Sequence, residues 1–162
     1  MPPHVTPLRL ALALTPTPLL APALRLAMGR IIRAAPALGR DLAALPRARV
    51  LIAPTDLRRR FLLRLGDGPP RLVPAPALMR VDATLRGRLA DLLALASGAC
   101  DSDALFFSRA LTVSGDTAPV VALHNTLERH GADLFALLAG PLAAPARRLA
   151  ARLPIPGSRG IA

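Results

Sequence analysis

The side chains that could carry out chemistry are few and far apart in this sequence. Cys100 is the only cysteine, and His4, His124 and His130 are the only histidines. On one helix His124 and His130 would lie about 240° apart, because a helix turns by about 100° per residue, so they cannot share a metal ion. No histidine stands at metal-ligand spacing from Cys100, and no acid–base pair is recognisable. We expect no metal site, no cofactor and no enzymatic activity.

Two short motifs resemble known functional loops, but both have simpler interpretations. The sequence Ser114-Gly115-Asp116 lacks the G-x-S-x-G pattern of a nucleophile elbow and is typical of a turn between a strand and a helix. The Gly- and Pro-rich residues 66–70 follow no βαβ pattern, so they predict a hairpin turn rather than a dinucleotide-binding loop. Neither motif supports catalysis or nucleotide binding.

The turn at Gly115 joins a predicted strand to a predicted helix. Apolar and polar side chains alternate over residues 110–114, as in a strand with one buried face. Asp116 or Thr117 can cap the next helix, and Pro119 fits its first turn, where a backbone N–H has no partner. The apolar face of that helix consists of Val120, Leu123 and Leu127. This unit offers an apolar surface made by a strand and the helix after it.

Four earlier segments also predict strands. They are residues 49–53, 58–65, 71–73 and 79–85. Pro74 and Pro76 confine the third to a sheet edge, and the strict alternation in the fourth is typical of a sheet with one solvated face. Residues 89–96 predict a helix. This order predicts an α+β fold, an antiparallel meander with helices packed on one of its faces.

The N-terminal part predicts irregular structure over residues 1–22 and then an amphipathic helix over residues 23–35. A second short helix is predicted over residues 37–45. The apolar face of the first helix includes Leu24, Met28 and Ile31, and its basic face Arg25, Arg30 and Arg33. This pattern is typical of a helix that lies in a membrane interface, with these six residues facing the membrane. It is equally typical of a surface helix docked on its own domain.

The positive charge is concentrated at the two ends of the chain. All 21 basic residues are arginine, and the net charge is +11. Residues 1–60 hold ten arginines and two acidic residues, whereas residues 61–130 hold seven of each. Such ends attract anionic lipid or nucleic acid. No nucleic-acid recognition motif accompanies the arginines, and the phenylalanines do not alternate with them, so we favour lipid.

Export and membrane-spanning segments are not expected. Residues 10–24 are free of charge, but no basic residue precedes residue 9, and three prolines interrupt the run. The run is too short to span a bilayer, as is the apolar run over residues 134–146. A single cysteine forms no intrachain disulfide. We expect a cytoplasmic protein that associates peripherally with the inner membrane.

A longer pattern resembles a known family. A helix that ends in a Ser-Gly turn (LADLLALASGAC) is followed by DSDALFF, a strand, a Gly-Asp turn and a helix (ALTVSGDTAPVVALHNTLE). This pattern resembles the sterol-carrier-protein type two domain over residues 46–130. Within that family, the segment FFSRALTVSGDT is most similar to the corresponding segment of the bacterial accessory factors of oxygen-independent ubiquinone biosynthesis. The chain is thus divided into an N-terminal extension (1–45), a lipid-binding domain (46–130) and a C-terminal tail (131–162).

The resemblance implies a five-stranded sheet under helices with an apolar cavity between them. It also implies a non-enzymatic role: holding an isoprenoid or acyl lipid, such as a ubiquinone precursor or a phospholipid, and presenting it to pathway enzymes. Iron–sulfur hydroxylases are the implied protein partners. A generic lipid carrier or peripheral membrane protein is the alternative, and an Arg-rich nucleic-acid-binding protein is a weaker one.

Around the cavity we place apolar residues from the predicted strands and helices. They are Phe61, Leu63, Leu93, Phe106, Phe107, Val120, Leu123 and Leu127. The alternative is that these side chains fill a solid core.

Overall fold

A computed structural model of the chain describes residues 5–97 and 109–130. Its helices are α1 (Val5–Leu14), α2 (Thr17–Ala34), α3 (Pro36–Ala43), α4 (Leu89–Ser97) and α5 (Ala118–His130). Its strands are β1 (Ala48–Pro54), β2 (Phe61–Leu65), β3 (Arg71–Pro74), β4 (Ala83–Gly87) and β5 (Leu111–Gly115). The predicted α+β class is confirmed.

The five strands form one mixed sheet in the order β3-β2-β1-β4-β5. β1 and β4 run parallel, with Val50 opposite Ala83 and Ile52 opposite Leu85, and the other pairs are antiparallel. The prediction of a purely antiparallel meander was therefore wrong. In a meander β4 would pair with β3, but β3 is an edge strand that ends at Pro74, and the chain returns to the free side of β1 instead.

Two predicted strands begin later than expected. β2 starts at Phe61 rather than at residue 58, and β4 starts at Ala83 rather than at residue 79. Arg59 and Arg60 instead direct their guanidinium groups to carbonyl oxygens of Ala13 and Ala77, at 3.4 and 3.2 Å. The strict alternation over residues 79–85 thus belongs only in part to a strand, because the first of these residues connect β3 to β4.

The turns follow the predicted chemistry. Gly66 and Gly115 have positive φ angles of 80° and 86°. A Cβ at Gly115 would lie 2.5 Å from the carbonyl oxygen of Asp82, so glycine is needed there for space as well as for conformation. The carboxylate of Asp116 accepts a hydrogen bond of 2.9 Å from the amide of Ala118, which confirms it as a cap of α5.

The N-terminal residues are helical, contrary to the predicted irregular structure of residues 1–22. α1 spans Val5–Leu14, and α2 begins at Thr17 and continues through Pro22. Pro18 lies in the first turn of α2, where the missing N–H has no intrahelical partner. The prolines therefore mark a helix start and an internal position rather than an irregular segment. Burial of leucines on the inner face stabilises both helices despite Pro22.

The helices pack on the sheet through three groups of apolar side chains. The first joins Val50, Leu63 and Leu85 of the sheet to α4 and α5, and the second joins α1 and α2 to Phe61 and Leu89. The third joins α2, α3 and α5. Asp56 positions the start of α4, since its carboxylate accepts a 2.9 Å hydrogen bond from the amide of Leu89. Within the described residues, no helix is long and apolar enough to cross a membrane.

Candidate functional site

An apolar pocket of about 180 Å³ lies between the sheet and the helices that cover it. The sheet contributes mainly leucines, together with Ile52 and Phe61. The helices contribute Leu8 and Leu12 of α1, Leu24, Met28 and Ile31 of α2, Leu42 of α3, and leucines of α4 and α5. Apolar cavities of about 150 Å³ stay dry and accept guests the size of benzene. The pocket can therefore take a ring or a short stretch of an apolar chain without rearrangement.

Six of the eight residues that we placed around a cavity lie in the wall of this pocket. They are Phe61, Leu63, Leu93, Val120, Leu123 and Leu127. The other two, Phe106 and Phe107, lie outside the described residues, as does Cys100.

α1 contributes to this pocket wall, although irregular structure was predicted for residues 1–22. Leu8 and Leu12 are 2% and 5% exposed, and they stand one helical turn apart. That spacing was the available signal for an inward-facing helix, but the nearby prolines favoured irregular structure. As a result α1 supplies two pocket residues that no prediction included.

The apolar face of α2 is turned toward the sheet. Leu24 and Ile31 are each 2% exposed and Met28 is partly buried, whereas Arg25, Arg30 and Arg33 are exposed. This placement corresponds to the docked alternative for that helix. Of the six residues predicted to face a membrane, only the three arginines are exposed, and insertion of Leu24, Met28 and Ile31 into a bilayer requires α2 to leave the sheet.

The sequence profile of the SCP-2 sterol transfer family matches residues 29–128, from within α2 to near the end of α5. The chain belongs to the SCP-2 sterol transfer family. Because the match begins at residue 29, α1 and the first half of α2 lie outside it. Residues of these two helices nevertheless line the pocket of this family member.

One solved structure shares the fold, and a second is more distantly similar. The UbiJ-SCP2 ubiquinone synthesis protein has a TM-score of 0.59 and 18% identity, and the alignment covers 72% of this chain and 95% of that one. The sterol carrier protein domain 2 of Helicoverpa armigera has a TM-score of 0.48 and 12% identity, over 67% of this chain and 84% of that one. Among curated proteins, no sequence gives a significant match.

One polar side chain interrupts the pocket wall of this SCP-2 domain. His124 of α5 lines the pocket, and its side chain is 11% exposed. Both ring nitrogens are buried and have no hydrogen-bond partner among the described residues. Oε2 of Glu128, one helical turn further on, lies 3.7 Å from Nε2, which is beyond hydrogen-bonding distance.

A second histidine links the helices that surround the pocket. His130 at the end of α5 hydrogen-bonds through Nε2 to Oδ2 of Asp41 in α3, at 2.9 Å. This hydrogen bond lowers the pKa of the Asp41 carboxyl, and the nearby positive charges act in the same direction. The pair helps to hold α3 against α5, where Leu38, Leu42 and Leu127 pack together.

The described residues offer no other centre for chemistry. Within residues 5–97 and 109–130, no group of three His, Cys, Asp or Glu side chains could hold a metal ion. What the pocket can do is shield apolar surface from water.

Proposed function

We propose that this protein is a non-enzymatic lipid-binding accessory factor of ubiquinone biosynthesis. Its apolar pocket holds part of an isoprenoid or acyl chain, and the protein presents the attached head group to the enzymes that modify it. The observation that carries this proposal is the composition of the pocket wall, in which every described side chain except His124 is apolar. Membership of the SCP-2 family and the fold shared with a ubiquinone synthesis protein support it.

The driving force is removal of apolar ligand surface from water. Each buried methylene contributes about 0.8 kcal/mol, which corresponds to about a fourfold gain in affinity. The pocket volume of about 180 Å³ is smaller than the roughly 300–1,000 Å³ of sites that enclose whole drug-sized ligands. A long polyprenyl tail must therefore extend beyond the pocket or separate the covering helices.

A series of n-alkylphenols of increasing chain length tests this proposal by isothermal titration calorimetry. We expect affinity to rise by about fourfold per methylene and then to level off when the pocket is full. A heat-capacity change on binding that becomes more negative with chain length marks the burial of apolar surface. Absence of binding for every member of the series would show that the pocket holds no lipid.

Membrane association is the second part of the proposal. Arg25, Arg30 and Arg33 are exposed on α2, and each arginine near an anionic surface contributes about 1 kcal/mol to binding. Leu14 and Leu19, which flank the connection between α1 and α2, are 58% and 59% exposed. We propose that this connection and the arginines of residues 1–45 contact the inner membrane from the cytoplasm, with the basic tail of residues 131–162 adding to the attraction.

The finer assignments rest on sequence resemblance alone. These are the oxygen-independent branch of the pathway, the iron–sulfur hydroxylases as partners, and the domain boundaries after residues 45 and 130. Co-purification of the tagged full-length chain from anaerobic and aerobic cells, followed by identification of bound proteins, tests the first two. Recovery of hydroxylases from aerobic cells only would contradict the assignment to the oxygen-independent branch.

A further inference from the structure

His124 is an exception in the composition of the pocket wall. It is the one described lining residue whose side chain forms conventional hydrogen bonds, and it lies among Leu123, Leu127 and the leucines of α4. Its ring nitrogens are buried, and no hydrogen-bond partner for them lies within residues 5–97 or 109–130. Buried polar groups in proteins are nearly always paired, because an unpaired one loses its bonds to water and gains nothing in return. An apolar residue would serve better here if the position only filled space.

The neighbouring carboxylate determines which ring nitrogen can serve a ligand. Oε2 of Glu128 lies 3.7 Å from Nε2 of His124, and the Glu128 side chain is 64% exposed. In a neutral imidazole one nitrogen carries the hydrogen and the other accepts a hydrogen bond. The negative charge of Glu128 favours the tautomer with hydrogen on Nε2. Nδ1 is then the acceptor.

We propose that a small turn of the His124 ring brings Nδ1 to the pocket surface, where it accepts a hydrogen bond from a hydroxyl group of the bound lipid. This proposal rests on the proposed function, and it adds a ligand class to it: a phenol or alcohol attached to an apolar chain. An ether or ester of the same shape offers only acceptors and leaves Nδ1 unpaired. The pocket therefore selects hydroxyl-bearing lipids through His124 and binds their chains through its leucines.

The experiment compares 4-hexylphenol with its methyl ether, 4-hexylanisole, by isothermal titration calorimetry on the full-length protein. One hydrogen bond should make the phenol bind roughly three- to tenfold more tightly than the ether. In His124→Leu the preference should fall to less than twofold, with the affinity for 4-hexylanisole retained. Because Leu removes an unpaired polar group, the melting temperature of the variant should not fall.

Two further variants strengthen the test. Asn125→Leu changes an exposed polar residue of the same helix that does not line the pocket, so the preference for the phenol should stay as in the wild type. His124→Gln keeps an oxygen acceptor and should retain part of the preference, which provides a second readout if His124→Leu folds poorly.

The outcomes separate this inference from the proposed function. Equal affinity of the wild type for both compounds, or a preference that survives in His124→Leu, overturns the role of His124 and leaves the lipid pocket standing. Failure of the wild type to bind either compound overturns the lipid pocket, and with it the role of His124.

Discussion

Nε2 of His130 lies 2.9 Å from Oδ2 of Asp41 and joins the end of α5 to α3 across 89 residues of sequence. Both helices pack on the pocket-lining part of α2 through Leu38, Leu42 and Leu127. The hydrogen bond therefore stabilises the helical layer that closes one side of the pocket. Its strength depends on the ionisation of Asp41.

The first prediction concerns acid stability. The pKa of Asp41 is lowered from its ordinary value of 3.8, chiefly by the hydrogen bond from His130. Such a group stabilises the fold above its unfolded pKa, and the stabilisation is lost as the pH falls through the lower folded pKa. Asp41→Asn should therefore lower the free energy of unfolding at pH 6, measured by urea titration, and the difference from wild type should shrink below about pH 4.

A difference between Asp41→Asn and wild type that stays constant from pH 6 to pH 2.5 would contradict this account. In that case the aspartate would stabilise the helices by its shape rather than by its charge. Glu128→Gln is the control, because that carboxylate is largely exposed and makes no hydrogen bond to its histidine neighbour.

The second prediction compares two helical glycines. A Cβ at Gly39 would lie 2.7 Å from Cγ2 of Ile32, where α3 crosses close to α2, whereas a Cβ at Gly29 would meet nothing closer than 3.5 Å. In a helix, Gly→Ala ordinarily stabilises by about 0.8–1 kcal/mol. We expect that gain for Gly29→Ala, and a net loss of about 1–2 kcal/mol for Gly39→Ala because overpacking outweighs the helix preference.

Chemical denaturation of the two variants measures this difference. Equal stabilisation by both substitutions would show that α3 can move away from α2 at little cost.

The third prediction concerns Leu14 and Leu19, the exposed leucines that flank the connection between α1 and α2. Leu14→Ser with Leu19→Ser should weaken binding to phosphatidylglycerol vesicles by about tenfold or more, because apolar insertion supplies energy that arginine does not. The melting temperature should change little, since both side chains are more than half exposed. Vesicle co-sedimentation at two salt concentrations provides the measurement.

Leu78→Ser is the matched control, because Leu78 is 94% exposed but lies between β3 and β4. An equal loss of vesicle binding in Leu78→Ser, or no loss in the double variant, would contradict the assigned membrane contact.

By contrast, Ile31→Ser should destabilise the fold itself, since Ile31 is 2% exposed and packs with Leu38 and Leu42.

The sequence was most informative where local chemistry decides the structure. Gly115 and Asp116 predicted the turn and cap before α5, and the spacing of Val120, Leu123 and Leu127 predicted its inner face. The parallel pairing of β1 with β4 was not predicted, because the two strands are more than 30 residues apart in the sequence. The residue pattern of neither strand indicates which strand it pairs with. Such pairing is a tertiary choice that local patterns do not contain.

The pocket was predictable only in part for the same reason. An amphipathic helix such as α2 needs an apolar partner, but its pattern is the same whether that partner is a sheet or a bilayer. His124 is a partly buried residue of α5. Its position in the wall of an apolar pocket, with no hydrogen-bond partner among the described residues, depends on how α4, α5 and the sheet pack together, which the local sequence does not reveal.

The central claim is that the pocket between sheet and helices holds a lipid chain. Native mass spectrometry of the purified protein tests it most directly when the wild type is compared with Ala96→Leu. Ala96 lines the pocket, so the larger side chain fills part of the volume. Ala118→Leu, an exposed position at the start of α5, is the control. We expect a co-purified isoprenoid or acyl lipid on the wild type and on Ala118→Leu, and little or none on a folded Ala96→Leu. A wild type free of lipid, or lipid retained equally by all three proteins, would contradict the claim.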